Sequence, residues 1–168
     1  MSADYRSSFY PMHLALLTVG ENFLPLAWWT PISKLPFRFL IAVELENYSF
    51  SLLQGYGEAA LHFMPWDMRR QVIRAGYLTG ARTDKARRLK LNLMRAARLE
   101  RTKLVEGAYS IFELTVVGQV DGLSGDHMPF VMEVVHVHTE QRPGAAEPIL
   151  FLGYRDFATL GERFRFSR

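Results

Sequence analysis

The sequence predicts a mainly β protein, in which antiparallel strands form a barrel and short helices are inserted between them. Two observations predict this class. Short segments rich in β-branched and aromatic residues recur along the chain, and the helical patterns between them do not alternate regularly with strands, as a doubly wound sheet would require. The length of 168 residues fits one domain, which we place at residues 1–168.

The first part of the chain predicts a strand, an irregular loop and a second strand. His13–Val19 is a short apolar run that is closed by Gly20. Asn22–Ser33 contains two prolines, which disfavour an uninterrupted helix or a central strand, so an irregular loop is expected there. Phe37–Val43 is again apolar, directly follows Pro36 and is predicted to be a strand.

The middle of the chain predicts a strand between two helical segments. Tyr48–Gln54 is expected to form a short helical turn, with Ser49 as its cap. Glu58–Met64 has the apolar composition of a strand. Trp66–Ala75 is predicted to be helical, since an acidic residue lies near its start and a glycine follows its end.

Basic residues are concentrated between Arg69 and Lys103. Much of this stretch falls in a further predicted helix, from Lys85 to about Lys103, which Asp84 would cap. The basic residues are interpreted as a solvated helix face, and a partner surface is the alternative. The net charge of +3 is compatible with an anionic cofactor, and we expect no nucleic acid as a ligand.

The last third of the chain is rich in strands. Ala108–Val117, Pro129–His138 and Pro148–Tyr154 are β-branched or aromatic, and a loop with glycine and proline at Gln141–Glu147 separates the last two.

The composition excludes several classes of protein. Cysteine is absent, which excludes disulfides, thiolate metal sites and thiol nucleophiles. No apolar run approaches the roughly 20 residues that span a bilayer, and the first residues lack the pattern of a secretory signal. We therefore expect a cytoplasmic protein without a membrane partner.

Few residues offer catalytic chemistry of their own. His136 and His138 point the same way from one strand, but a metal site usually needs three or four ligands, so a half-exposed strand face is the better interpretation. No serine has a nucleophile-elbow context, and no glycine pattern matches a phosphate loop. We predict no metal site and no catalytic triad.

The loop predicted at Asn22–Ser33 is more informative. Its backbone groups would not all be used in a sheet, so they are available to a planar heteroaromatic ligand. Trp28 and Trp29 would provide apolar walls, while Asn22 and Thr30 would hold polar atoms. A core-closing loop whose tryptophans simply pack explains the same residues equally well.

Four segments in order resemble the flavin reductase-like family of FMN-binding split barrels. The first is an apolar strand, a glycine turn, an asparagine loop and a second strand, which here reads Ala15–Val19, Gly20, Asn22, Trp28-Trp29-Thr30, Ser33, Pro36 and Phe39–Val43. The other three are Gly80–Lys85, Gly125–Val134, and Pro148–Phe157 with Leu160-Gly161. Together they cover nearly the whole chain.

This resemblance implies an FMN-binding split barrel that forms a homodimer. It also implies roles for particular residues. Ser49 would lie near the phosphate, Lys85 with Asp84 would reach toward the phosphate or ring, and His127 would stand near the ring as the catalytic residue. The residues expected to line the isoalloxazine and ribityl edges are Asn22, Leu26, Ala27, Trp28, Trp29 and Thr30.

The implied activity is an NAD(P)H-dependent flavin oxidoreductase, with NADH or NADPH as reductant. Its electrons would go to a monooxygenase, as in a two-component system, or to another acceptor. Two alternatives stay open: a non-enzymatic FMN electron-transfer protein, and a flavin-free dimeric split barrel that serves as a binding module.

The family pattern is not followed at Glu44 and Glu46, where relatives commonly carry small residues and a lysine or arginine. Two unit charges about 4 Å apart interact by roughly 4 kcal/mol at an effective dielectric constant of about 20, so a glutamate facing the phosphate would oppose binding. Either both glutamates face solvent, or Lys85 and the arginines after it compensate, or flavin binds weakly or not at all.

Overall fold

The computed structural model describes residues 8–122, 125–139 and 146–162. Its strands are β1 (Met12–His13), β2 (Ala15–Val19), β3 (Asn22–Leu26), β4 (Trp29–Lys34), β5 (Phe37–Glu44), β6 (Glu58–Phe63), β7 (Leu93–Arg95), β8 (Lys103–Val105), β9 (Ser110–Gln119), β10 (His127–Thr139), β11 (Leu150–Gly153) and β12 (Asp156–Ala158). Its helices are α1 (Tyr48–Tyr56), α2 (Arg69–Ala75), which follows a 3-10 turn (Trp66–Met68), and α3 (Lys85–Leu89).

Seven strands form one antiparallel sheet that curls into a half-barrel, in the order β3-β2-β6-β9-β10-β5-β4. The predicted mainly β class and the antiparallel split barrel are thereby confirmed. Two smaller sheets, β1-β11-β12 and β7-β8, complete the described strands. Most of the predicted loop at 141–147 lies outside the described residues.

The predicted irregular loop at Asn22–Ser33 is wrong, because the segment forms β3 and most of β4. These two strands are the outer edges of the sheet, and each pairs with one neighbour only. Pro25 lies opposite Leu16 in β2, and Pro31 lies opposite Phe39 in β5. A proline is tolerated in an edge strand because its missing N–H can face away from the ladder.

The long helix predicted from Lys85 to about Lys103 is also wrong. Asp84 does cap a helix, since its carboxylate accepts the Arg87 N–H at 3.0 Å, but α3 ends at Leu89. Lys90 then takes a left-handed conformation (φ 56°), and the chain continues into the β7-β8 hairpin.

Two buried carboxylates explain why residues 97–102 leave the helical path. Glu113 accepts the backbone N–H groups of residues 97, 98 and 99, and Glu58 accepts those of residues 100, 101 and 102. Burial alone would raise the pKa of both carboxyls, but these hydrogen bonds, with His138 also bound to Glu113, hold each pKa below its usual range. Both carboxylates lie on distant strands, so local sequence does not reveal them.

The helix after β5 begins at Tyr48, as predicted, but a different residue caps it. Asn47, and not Ser49, is the cap of α1, because its side-chain oxygen accepts the Ser49 N–H at 2.9 Å. The helix ends at Gly57, whose φ of 66° favours glycine.

Apolar side chains pack on both faces of the sheet. Leu14 and Leu16 belong to the cluster beneath α2 and the β7-β8 hairpin, whereas Leu17 and Val19 belong to a second cluster inside the half-barrel. Each large apolar side chain removed from water contributes about 1.5–3 kcal/mol, so these two clusters stabilise the sheet from both sides. Within the described ranges, no helix is long and apolar enough to cross a membrane.

Candidate functional site

A continuous groove runs along the β3 edge of the half-barrel. Three adjoining cavities of about 440, 330 and 260 Å³ are all lined by Leu24 of β3, by Glu44 at the end of β5 and by Asn47, the cap of α1. Because they share these residues, we treat them as one site and call it the groove. Cavities of this size accept small ligands and cofactors.

One end of the groove is aromatic. Leu26, Ala27, Trp28 and His127, all predicted from the sequence, line it together. The Trp28 and His127 rings lie 4.4 Å apart, centroid to centroid, and are inclined by 39°. His127 Nδ1 lies 2.7 Å from Asp126 Oδ1, and because a carboxylate accepts, Nδ1 is the donor of this hydrogen bond.

The two adjacent tryptophans have different surroundings. Trp28 is 42% exposed and faces the groove. Trp29 packs edge-on against Phe63 at 5.0 Å and donates its ring N–H to the His13 carbonyl at 2.8 Å. Trp29 is therefore part of the core.

Thr30 lies outside the groove. It lines a separate apolar cavity of about 390 Å³, which is formed with Phe9, Leu40 and both tryptophans on the β4-β5 side. Trp28 and Ala42 border both this cavity and the aromatic end of the groove, whereas Thr30 borders only this cavity.

The opposite end of the groove contains a buried polar contact. The Asn22 amide donates to the Ser49 hydroxyl at 2.7 Å, while its carbonyl oxygen has no hydrogen-bond partner although it is buried. The amide is packed against Gly80, where a Cβ atom would lie 2.3 Å from Asn22 Oδ1. Asn22 lines the groove, and Ser49 lies behind it as a support.

Lys85 lines the same end but is largely buried. Its ammonium group donates to the Phe23 carbonyl at 2.6 Å and to the Ala75 carbonyl at 3.0 Å. An ammonium group has three N–H donors, so one remains for a ligand. Burial lowers the pKa of Lys85 to about 8, which leaves the group mostly protonated at neutral pH. Asp84, besides capping α3, lines a neighbouring cavity.

The charges of the groove are mixed. Glu44 and Glu46 have exposed side chains, and both line the end that contains Lys85. Of the described residues, Lys85 is the only lysine or arginine that lines the groove. Arg87 and Arg88, which follow it, are exposed and do not line the groove, so they do not offset the charges of Glu44 and Glu46 there.

Several groove residues were not predicted from the sequence. Leu24, Asn47, Gly76 and Tyr77 line it because β3, α1 and the end of α2 converge there. Asn47 could have been predicted as the helix cap, because an asparagine directly before a helical pattern is typical of an N-cap. In the described ranges no group of three or more potential metal ligands is present, and His138 is bound to Glu113 at 2.6 Å.

The curled antiparallel half-barrel with a groove at its edge defines a split-barrel protein. The chain belongs to the flavin reductase like domain family, whose model matches residues 6–161.

Known structures agree with this fold. The FMN-binding protein of Thermus thermophilus, solved with bound 1-cyclohex-2-enone, is 23% identical and superposes with a TM-score of 0.85 over 96% of this chain and 93% of that one. The flavoredoxin of Desulfovibrio vulgaris (Miyazaki F) gives 18% identity and a TM-score of 0.85 over 99% and 96%. An uncharacterised protein of Archaeoglobus fulgidus is 29% identical over 131 residues, which cover 76% of this chain and 72% of that protein.

Proposed function

We propose that the groove binds FMN and that the protein is an NAD(P)H-dependent flavin oxidoreductase. The observation that carries this proposal is the convergence of residues far apart in sequence. Leu26, Ala27, Trp28 and His127 meet at one end of a single groove, and Lys85 lies at the other. A planar ring at the aromatic end and an anionic group at the lysine end would match the two ends of FMN.

The aromatic end fits an isoalloxazine ring. Trp28 offers an exposed flat face, and β3 is an edge strand with one row of backbone groups outside the ladder, which suits the polar edge of a flavin. FMN, when bound, supplies the hydride chemistry, while the protein sets orientation and solvent access. His127 would stand beside the ring, with Asp126 holding its tautomer.

The lysine end fits a phosphate less well. Lys85 would use its third N–H, and the buried Asn22 carbonyl would accept from a ribityl hydroxyl. Glu44 and Glu46 line the same space and oppose a phosphate with close to two negative charges. We therefore expect FMN to be held weakly and exchanged between turnovers, as suits a protein that passes reduced flavin to a partner.

The proposed assembly is a cytoplasmic homodimer. Val135 and Val137 of β10 are exposed and lie two residues apart on the same strand, and exposed apolar side chains of this kind support an association surface. The proposed acceptor is a monooxygenase or another electron-accepting partner.

Anaerobic reduction tests the activity. The protein saturated with FMN should lose its visible absorbance on addition of NADH or NADPH. The His127→Ala variant, compared at matched FMN occupancy, should bleach more slowly. A protein that binds FMN but is not bleached by either nicotinamide would instead be an electron-transfer flavoprotein.

A further inference from the structure

The positive charge of the chain is concentrated in one segment. Twelve of the 20 lysines and arginines lie between Arg69 and Lys103, and Asp84 and Glu100 are the two acidic residues among them. The rest of the chain contains eight basic and 15 acidic residues. The formal charge of +3 is therefore the sum of a strongly basic segment and an acidic remainder. Apart from Lys85, the proposed function of the groove does not use this asymmetry.

The elements of this segment form one layer on the sheet. Helices α2 and α3 and the β7-β8 hairpin pack with Leu16 of β2 in a single apolar cluster, to which Val72 of α2 and Leu104 of β8 belong. Helix α3 also contacts α2 directly, since the Lys85 ammonium group donates to the Ala75 carbonyl at 3.0 Å. The exposed side chains of these elements therefore cover one outer surface of the half-barrel, which we call the basic layer (residues 69–103).

The exposed side chains of the basic layer are mainly arginines without acidic partners. Arg70 and Arg74 are four residues apart and share one side of α2. In the part of the chain that the structure describes, no lysine or arginine of the layer forms an ion pair with a carboxylate. Like charges that are close together and uncompensated create a strong local potential, which attracts a molecule of opposite charge. The exposed basic residues are Arg70, Arg74, Arg82, Arg87, Arg88, Lys90, Arg95, Arg98 and Arg101.

The basic layer also forms a wall of the groove. Gly76 and Tyr77, which follow α2, and Lys85 at the start of α3 line it. Tyr77 is 70% exposed and its N–H donates to the Arg74 carbonyl at 3.1 Å, so an open aromatic ring follows directly on the arginines of α2. Tyrosine and arginine are both enriched in protein interfaces. A partner that covers the layer beside Tyr77 would therefore lie at the mouth of the groove.

The composition of the basic layer favours a protein over a nucleic acid as this partner. Nine of its twelve basic residues are arginines, and protein interfaces are enriched in arginine and depleted in lysine. A single-stranded nucleic acid would need several aromatic side chains for stacking, and Tyr77 is the only aromatic residue between 69 and 103. Glu44 and Glu46 line the groove beside the layer and would repel a phosphate backbone there.

We propose that the basic layer is the docking surface for an acidic protein that accepts the electrons of the reduced flavin. The inference rests on the proposed function of the groove and adds the chemistry of the partner. An acidic face would contact the arginines of α2 and α3 and cover the mouth of the groove, so that electrons pass within a complex. Charge complementarity of this kind accelerates association by about 10- to 1,000-fold at low ionic strength.

Binding of plastocyanin, a small acidic copper protein, to the full-length protein saturated with FMN tests the docking surface. The affinity should fall steeply as the ionic strength rises to about 0.15 M, where charges are screened beyond roughly 8 Å. Arg74→Glu and Arg87→Glu should each lower the affinity about fivefold, because each loses an exposed attraction and adds a repulsion. Lys34→Glu is the matched control, since Lys34 is exposed at the end of β4, outside the layer. Arg74→Lys keeps the charge and should bind like the wild type.

Two further measurements connect the docking surface to the groove. Bound plastocyanin should slow the dissociation of FMN, because it covers the mouth of the groove. When NADH is added, each NADH gives two electrons through FMN, so two copper(II) ions are reduced to copper(I) and one proton is released. Arg74→Glu and Arg87→Glu should slow this reduction of copper, whereas the bleaching of FMN by NADH without plastocyanin should be unchanged.

The possible outcomes separate this inference from the proposed function. If FMN binds and is bleached by NADH but plastocyanin does not bind, the inference is wrong and the flavin site stands. Equal losses of affinity in Lys34→Glu and Arg74→Glu, or FMN dissociation that plastocyanin does not slow, would also overturn it. A single-stranded oligonucleotide that binds more tightly than plastocyanin at the same ionic strength would assign the layer to nucleic acid. If FMN does not bind, the proposed function itself fails.

Discussion

Replacement of Glu58 by glutamine should destabilise the protein strongly, although it changes one atom. One carboxylate oxygen accepts the Arg101 and Thr102 N–H groups at 2.8 and 2.6 Å, and the other accepts the Glu100 N–H at 3.0 Å. A glutamine side chain keeps the first oxygen but presents an NH₂ group to the third N–H. Two donors then face each other in a buried site.

The magnitude follows from the three hydrogen bonds. Bonds to a charged acceptor contribute about 1.5–3 kcal/mol and neutral ones about 0.5–1.5 kcal/mol, so two bonds weaken and one is lost. We expect Glu58→Gln to lower the free energy of unfolding by about 3 kcal/mol. At about 2–4 °C per kcal/mol for a chain of this length, Tm should fall by roughly 6–12 °C.

Urea denaturation at several pH values measures this effect. The pKa of Glu58 lies below its ordinary value of 4.5, so its contribution is present above that pH and is lost as the pH falls through the lower value in the folded protein. The gap between wild type and variant should therefore be full at pH 7 and shrink below pH 4.5. The exposed Glu106 offers a control, because Glu106→Gln should change little. Surface substitutions usually change the free energy of unfolding by less than about 0.5 kcal/mol. A Glu58→Gln variant whose free energy of unfolding differs from that of the wild type by no more than this would refute the reasoning.

Three further predictions concern the groove and the core. FMN affinity should fall about tenfold as the pH rises from about 7 to 9, because Lys85, with a pKa of about 8, loses its charge. The Lys85→Met variant should lack this pH dependence. The same change of FMN affinity with pH in the variant and the wild type would exclude Lys85 from the site. Gly80→Ala should weaken FMN binding at least several-fold by displacing the Asn22 amide, and an unaltered dissociation constant would contradict this. Burial lowers the pKa of His62 from 6.5 to about 4, so the contribution of the neutral ring to stability is present above pH 6.5 and is lost as the pH falls toward 4. The full loss in the free energy of unfolding should be about 3 kcal/mol. Chemical denaturation that gives equal stability at pH 7 and pH 4.5 would argue against this.

The sequence predicted the fold where local pattern decides it. Phe37–Val43 and Glu58–Met64 became strands within one residue of the expected bounds, because their apolar and β-branched composition agrees with their burial. The helix predicted over residues 85–103 ends at Leu89, where Lys90 takes a left-handed conformation. Further along, the backbone of residues 97–102 is held by hydrogen bonds to Glu58 and Glu113, which lie far away in the chain.

The candidate site was predictable in part. The resemblance selected Ala27, Trp28 and His127, which the structure brings to one end of the groove. It also selected Trp29, which packs against Phe63 in the core, and Thr30, which lines the separate apolar cavity.

Equilibrium binding of FMN to groove variants tests the central claim most directly. Ala27 lines the groove, whereas Thr30 lines only the apolar cavity on the β4-β5 side, so Ala27→Phe and Thr30→Phe place the same ring in two different cavities. We predict that wild type and Thr30→Phe bind FMN with similar dissociation constants and that Ala27→Phe does not bind it. Binding lost in Thr30→Phe but kept in Ala27→Phe, or absent from the wild type, would contradict the assignment of the groove as the flavin site.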